Sequence, residues 1–174
     1  MDSDMRSGFH QAGVRLAQIG IGMLLASTCR GQVHDVALKA AYIYNIAQFT
    51  TWPAEQAVRD TLNVCASGEL AQSLKKLNGK PVDGRTWTLV EYAALSAAMH
   101  CDIAVLSGGE GAHHGVAKPG TLLIAHEKTA ERQHAAITLV DDDNHVRFDI
   151  DTQEAARQGL KFSSRLLRLA RNVQ

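Results

Sequence analysis

Leu62-Asn-Val-Cys-Ala-Ser67 runs directly into Gly68-Glu-Leu-Ala-Gln-Ser-Leu-Lys-Lys-Leu77, and Asn78-Gly79 closes the stretch. The first six residues form a short apolar run of the kind a buried strand presents. In the next ten, Leu70, Leu74 and Leu77 share one helical face. Asn78-Gly79 then supplies the left-handed cap that ends a helix. A strand that hands over to a helix is the building unit of a parallel sheet. The same alternation continues outward. Thr86-Trp-Thr-Leu-Val-Glu-Tyr92 reads as a second strand, Ala93–Met99 as a short helix, Cys101–Ser107 as a third strand and Gly120–Ala125 as a fourth.

Toward the C-terminus the pattern changes. Ala136–Val140 and His145–Ile150 flank Asp141-Asp-Asp-Asn144, polar turn formers between two alternating runs, which predicts an antiparallel hairpin. Asp151-Thr-Gln-Glu154 has the layout of a capping box and predicts a helix ending at Gly159. Phe162–Ala170 is a last amphipathic segment. The expected architecture is an α/β three-layer sandwich: a mostly parallel central sheet with a C-terminal antiparallel hairpin and helices on both faces.

Before the first strand, Asp35–Trp52 predicts a helix, stopped by Pro53. Val36, Ala40, Ile43 and Ala47 form its apolar stripe, widened by Tyr42, Ile46 and Phe49. So broad a face predicts packing on two sides, against the domain and against a partner. Tyr44, Phe49 and Trp52 are the candidate partner-binding residues.

The totals narrow the function classes. A chain of 174 residues holds one ordinary domain plus an extension. Lys+Arg and Asp+Glu stand at 18 each and aromatics at 5%, with no basic run interleaved with aromatics, which argues against nucleic acid. The basic residues near the end (Lys161, Arg165, Arg168, Arg171) read as dipole-matched and solvated.

Residues 1–31 read as a secretory leader and 32–174 as a single domain. Arg6 and Arg15 precede the apolar Ile19–Ala26, too short to span a bilayer, and small or polar residues follow. Asp2 and Asp4 are foreign to such a leader, and a start at Met5 removes both. An uncleaved anchor and lipoprotein processing at Cys29 are the alternatives. Once Cys29 leaves with the leader, Cys65 and Cys101 remain. In an exported chain they are a candidate disulfide, with two buried free thiols as the alternative.

The search for catalytic chemistry finds little. Gly108-Gly-Glu-Gly-Ala-His-His-Gly115 lacks the lysine and the spacing of a phosphate-cradling loop. Its adjacent His113 and His114 diverge, where a helical metal pair needs i and i+4. Asp141–Asn144 lacks the downstream glycine and glutamate of a calcium loop. Ser163-Ser164 has no nucleophile elbow around it. Thiols inside apolar strands disfavour a thiolate. The expectation is a non-enzyme with no cofactor and no metal.

Three segments resemble the YfiR-like periplasmic domain family: Leu38-Lys-Ala-Ala-Tyr-Ile-Tyr-Asn-Ile-Ala-Gln-Phe-Thr-Thr-Trp-Pro53; Leu62–Cys65 with Leu77-Asn-Gly-Lys-Pro-Val-Asp-Gly-Arg85 and Cys101–Leu106; and Val146–Ile150 with Gly159–Ala170. In order, they cover essentially everything after the leader. The resemblance implies a periplasmic α/β domain, often dimeric, with Cys65 and Cys101 bonded. It also implies a role: holding a membrane diguanylate cyclase inactive through its periplasmic part, with the redox state of the cysteines and an outer-membrane lipoprotein modulating that repression.

The chain departs from the family in several places. No cysteine follows Cys101, so the family's second disulfide has no counterpart. His134-Ala135-Ala136 stands where many members carry Gly-Gly, and the glycine-rich 108–115 replaces a more helical segment. The family's anion site maps onto Lys161, Ser163 and Thr51, so Lys161, Ser163, Ser164 and Arg165 are the candidate anion or ligand residues. Two other roles compete with cyclase repression: service to another membrane sensor such as a histidine kinase or to a surface-structure assembly system, and small-molecule carriage in a cleft near Ser67, Ser107 and His126.

Overall fold

The computed structural model describes residues 29–93, 99–106, 118–126, 134–142 and 145–174. In chain order the elements are α1 (Cys29–Gln48), β1 (Thr50–Thr51), α2 (Ala54–Ala57), β2 (Thr61–Ala66), α3 (Gly68–Lys75), β3 (Pro81–Val82), β4 (Arg85–Glu91) and β5 (Ile103–Val105). They continue with β6 (Leu122–His126), β7 (Ile137–Asp142), β8 (His145–Ile150), α4 (Thr152–Arg157), β9 (Lys161–Phe162), α5 (Ser164–Leu169) and β10 (Asn172–Val173).

Eight of the strands form a curled sheet in the order β10-β8-β7-β6-β5-β2-β4-β3. From β4 through β2, β5 and β6 to β7 every pairing is parallel. The change of direction comes where the sequence places it, with β8 antiparallel to β7 from Ile137 opposite Ile150 to Asp142 opposite His145. The tip residues 143–144 lie outside the described ones. The expected hairpin does not end the sheet, however: β10 adds a further strand, parallel to β8.

At the other edge, Asp83-Gly84 takes positive φ at both positions (49° and 77°) and turns β3 back onto β4. Asp-Gly suits this two-residue turn, because both central residues must be left-handed.

Alternation along the strands separates two buried faces. Leu62, Val64, Ile103, Leu122, Ile124, Ile137 and Leu139 point into one cluster with Ala40, Ile43, Ile46 and Ala47 of α1 and Ala71 and Leu74 of α3. Cys65, Ala104, Leu123 and Ala125 point into a second cluster with Tyr92 and Cys101. Ala155 of α4 and Leu166 of α5 also belong to the first. Among the described residues, α1, α3, α4 and α5 therefore serve one face of the sheet. The helix expected over Ala93–Met99 falls largely on 94–98, outside the described residues, as does the glycine-rich 108–115.

α1 stops at Gln48, four residues short of the expected Trp52. The Phe49 N–H donates to the Ile46 carbonyl at 3.1 Å and the Thr50 hydroxyl to the same oxygen at 2.8 Å, which tightens and ends the last turn. Pro53 disfavours helical geometry at Trp52 as well, and the β-branched Thr50-Thr51 pairs with β9.

The capping box is half made. The Asp151 carboxylate accepts from the Gln153 and Glu154 N–H groups, while Glu154 turns to Arg157 instead of reaching back. Gly159 ends this region at φ +72°, where an added Cβ would lie 3.0 Å from Pro53 Cγ.

Candidate functional site

The last two turns of α1 present Tyr42, Asn45 and Ile46, and Phe49 just beyond its end joins them, to a groove that β8 (Arg147, Phe148) and α5 (Leu166, Leu169) complete, with a volume of about 260 Å³. Tyr42 meets Phe148 edge to face at 6.1 Å. Phe49 is half-buried, with the Arg165 guanidinium 5.4 Å from its ring centre. The small β1–β9 ribbon sets this geometry. It pairs Thr50 with Phe162 and Thr51 with Lys161, and the Ser163 N–H donates to the Phe49 carbonyl at 3.0 Å. The Ser163 hydroxyl then accepts from the Leu166 N–H at 3.2 Å and caps α5. One residue thus anchors both walls. Leu169 stays 60% exposed, large for an aliphatic side chain, and marks the groove as open.

The structure divides the three candidate partner-binding residues. Phe49 lines the groove. Tyr44 lies on another side of α1, its hydroxyl donating to the Pro81 carbonyl at 3.0 Å and its ring 5.5 Å from Trp87. Trp52 is 4% exposed, packed against the Arg85 guanidinium at 4.5 Å and donating through Nε1 to the Asp102 carbonyl. So enclosed a ring presents almost no surface, which leaves Phe49 as the member of the three that lines the groove. The helix expected to run to Trp52 ends at Gln48, before reaching it.

The four candidate ligand residues are neighbours by sequence and have different employments. Lys161 and Ser164 are exposed, Ser163 is the α5 cap, and Arg165 lies over Phe49. Thr51 does come beside Lys161, through the ribbon. Leu166, Leu169 and Arg147 were missed by the sequence reading. The amphipathic pattern of Phe162–Ala170 was a signal for the two leucines, but nothing in that pattern names α1 as their partner.

On the opposite face of the sheet, a bend at Asp102 brings Cys101 beneath β2, and a disulfide joins it to Cys65 with Cα atoms 5.7 Å apart. A sequence model of the family described as YfiR/HmsC-like matches residues 36–171, from the first turns of the described α1 to the residue before β10. The chain belongs to the YfiR/HmsC-like family. No curated protein matches it at a significant level. Among the described residues, no helix of this family member is long and apolar enough to cross a membrane. No cluster of three or more His, Cys, Asp or Glu side chains among them is arranged to hold a metal.

Two charged clusters complete the surroundings of this YfiR/HmsC-like core. Arg85 and Asp102, 2% and 1% exposed, pair at 3.4 Å, and Asp102 also accepts from the Asn63 N–H at 2.7 Å. Burial pulls the Arg85 pKa down, with Asp102 opposing. Its face lies on the Trp52 ring, and its Nε and Nη2 make no hydrogen bond.

At the C-terminal ends of the parallel strands, the Lys39 ammonium bonds Asp35 (3.0 Å), Asp141 (3.0 Å) and His126 (3.2 Å), clasping α1 to β6 and β7. Burial disfavours this ammonium, yet its bonds to Asp141 and Asp35 outweigh that and hold its pKa above the usual lysine value. Burial likewise opposes the Asp141 carboxylate, and its bonds to Lys39 and His126 outweigh it and lower the pKa. The carrier cleft expected near Ser67, Ser107 and His126 finds His126 committed to this clasp, and Ser107 lies outside the described residues.

Proposed function

We propose that the chain is an exported, periplasmic, non-catalytic regulator that binds the periplasmic part of an inner-membrane diguanylate cyclase and represses it. The observation that carries this reading is the open groove on α1. An apolar patch beside a well-packed core is what a partner-binding protein keeps uncovered. Family membership supplies the kind of partner, a membrane signalling protein. The leader over residues 1–31 and the bonded cysteine pair suit the periplasm. Further parts of the same reading are self-association as a dimer and modulation by an outer-membrane lipoprotein.

The test is to delete the gene and measure intracellular cyclic-di-GMP. A rise is expected, reversed by the wild-type gene and not by Phe49→Glu. Because Phe49 is half-buried, Leu169→Asp is made in parallel on the more exposed side of the groove, and both proteins are checked for folding and export. No change in cyclic-di-GMP, with the protein verified in the periplasm, would move the reading to another membrane sensor such as a histidine kinase. Full complementation by a folded Leu169→Asp and a folded Phe49→Glu would remove the groove from the contact.

A further inference from the structure

The groove carries a second property that its apolar lining does not require: the charged side chains placed at it, Arg147 in its lining and Arg165 over Phe49, are both basic. Arg147 on β8 and Arg165 and Arg168 on α5 are all exposed. Lys161 on β9 is exposed beside them in sequence. None of these four is ion-paired among the described residues, and no residue lining the groove is acidic. Nearby carboxylates are already engaged, Asp149 with Arg171 at 2.6 Å and Glu154 with Arg157. The chain as a whole has equal numbers of acidic and basic residues, so this basic pair is a local feature.

Size narrows the occupant. A ligand pocket ordinarily measures roughly 300–1,000 Å³ and encloses most of its ligand. The groove, at about 260 Å³ and with Leu169 60% exposed, is smaller and open along α5. That form suits a few anchoring side chains projecting from one face of a helix, the rest of which stays outside. Arg147 on the β8 wall and Arg165 beside Phe49 then stand where the flanks of such a helix would run.

We infer that the groove docks an acidic amphipathic helix of the partner: an apolar stripe of two or three large side chains with carboxylates on either flank. This rests on the reading of the groove as the partner surface and adds the chemistry of what fills it. The apolar anchors would supply affinity near Phe49 and Leu166. The carboxylates would select the partner and set its orientation, because rim charges act mainly on encounter and choice of partner.

The purified exported protein tests this with three fluorescein-labelled helical peptides sharing one Leu/Phe stripe and flanked by Glu, Gln or Lys. Fluorescence anisotropy at low salt should rank them Glu, Gln, Lys, with about a tenfold or greater difference between the extremes, shrinking as salt screens the rim. Arg147→Glu combined with Arg165→Glu should reverse the order, and Leu169→Asp should weaken all three. Equal binding of the Glu and Lys peptides, no binding of any, or an unchanged order in the charge-reversed protein overturns the inference. Leu169-dependent binding to phosphatidylglycerol vesicles, or a Leu169-dependent dimer in sedimentation, assigns the groove to lipid or to a second copy and overturns it too. A failed peptide order with an intact cyclic-di-GMP response rejects the acidic helix alone. The expected order with no cyclic-di-GMP response rejects the cyclase alone.

Discussion

On the helix-covered face of the large sheet the central strands present Leu62, Val64, Ile103, Leu122, Ile124 and Ile137, and on the opposite face the same strands present Cys65, Ala104, Leu123 and Ala125. The first set carries large branched side chains that interlock with α1 and α3, and each buried one stabilises by about 1.5–3 kcal/mol of transfer free energy. The second set is smaller, and two alanines among four positions bury much less apolar area. There a covalent bond between Cys65 and Cys101 closes a separation of 36 residues. In the chain-entropy picture a loop of that length is worth about 4 kcal/mol, comparable with two buried aliphatics. Among the described residues, one face of the sheet is held mainly by area and the other carries a crosslink within a smaller cluster.

The sharpest way to break the contrast is to remove area where area dominates. Ile43→Ala, at a fully buried position on α1, should lower stability by about 2–5 kcal/mol in urea unfolding, through lost transfer energy and the cavity left behind. A loss well under 1 kcal/mol would mean that α1 is not held to the sheet in the way its burial shows. The crosslinked face comes next. Cys65→Ser should lower stability by about 2–4 kcal/mol, and a reductant should bring wild type to the same level while leaving the Ile43→Ala deficit unchanged. Equal stability of Cys65→Ser and wild type would deny the disulfide its role. Because the two positions face opposite ways, the double variant should lose the sum of the two to within about 0.5 kcal/mol.

The smallest expected effect comes from the clasp at the end of α1. Asp141→Asn removes a partly exposed carboxylate from Lys39 and His126, and should cost less than about 1 kcal/mol near neutral pH. The sign follows from its lowered pKa. The contribution is present above the ordinary carboxylate range and fades as pH falls through the folded value, so wild type and Asp141→Asn should converge in acid. Lys39, whose pKa is raised, adds stability that is complete below the ordinary lysine value and lost above it. A difference between the two proteins that stays constant into acid would mean the carboxylate charge is not what matters there.

Much of this arrangement was written in the pattern of residues. β2, β4 and β6 to β8 lie within a residue or two of their predicted places, because four or more residues of alternating or continuous apolar character leave a readable trace. The two-residue strands β1, β3, β9 and β10 leave none, since their pairing is decided by what the chain meets in space. β3 is a partial exception: Asp83-Gly84 was a usable hairpin signal between Val82 and Arg85. Phe49 was legible as part of a broad apolar face. Trp52 was not legible as interior, because periodicity assigns a face and says nothing of depth. The pairing of Arg85 with Asp102 was equally hidden: they stand 17 positions apart in the sequence, and only the fold brings them to 3.4 Å from each other. The groove draws its walls from residues about a hundred positions apart, a juxtaposition no local pattern encodes.

The chain's two tryptophans both belong to the helix-covered side, Trp52 stacked with the Arg85 guanidinium and Trp87 edge-on to Tyr44. Intrinsic tryptophan emission is therefore an optical report on that side alone. Spectral shifts will register disturbance of α1 or of the Arg85 pair. Opening of the sulfur bridge on the other side will be nearly silent in such a trace until the whole domain gives way, so a thiol titration has to accompany every fluorescence melt.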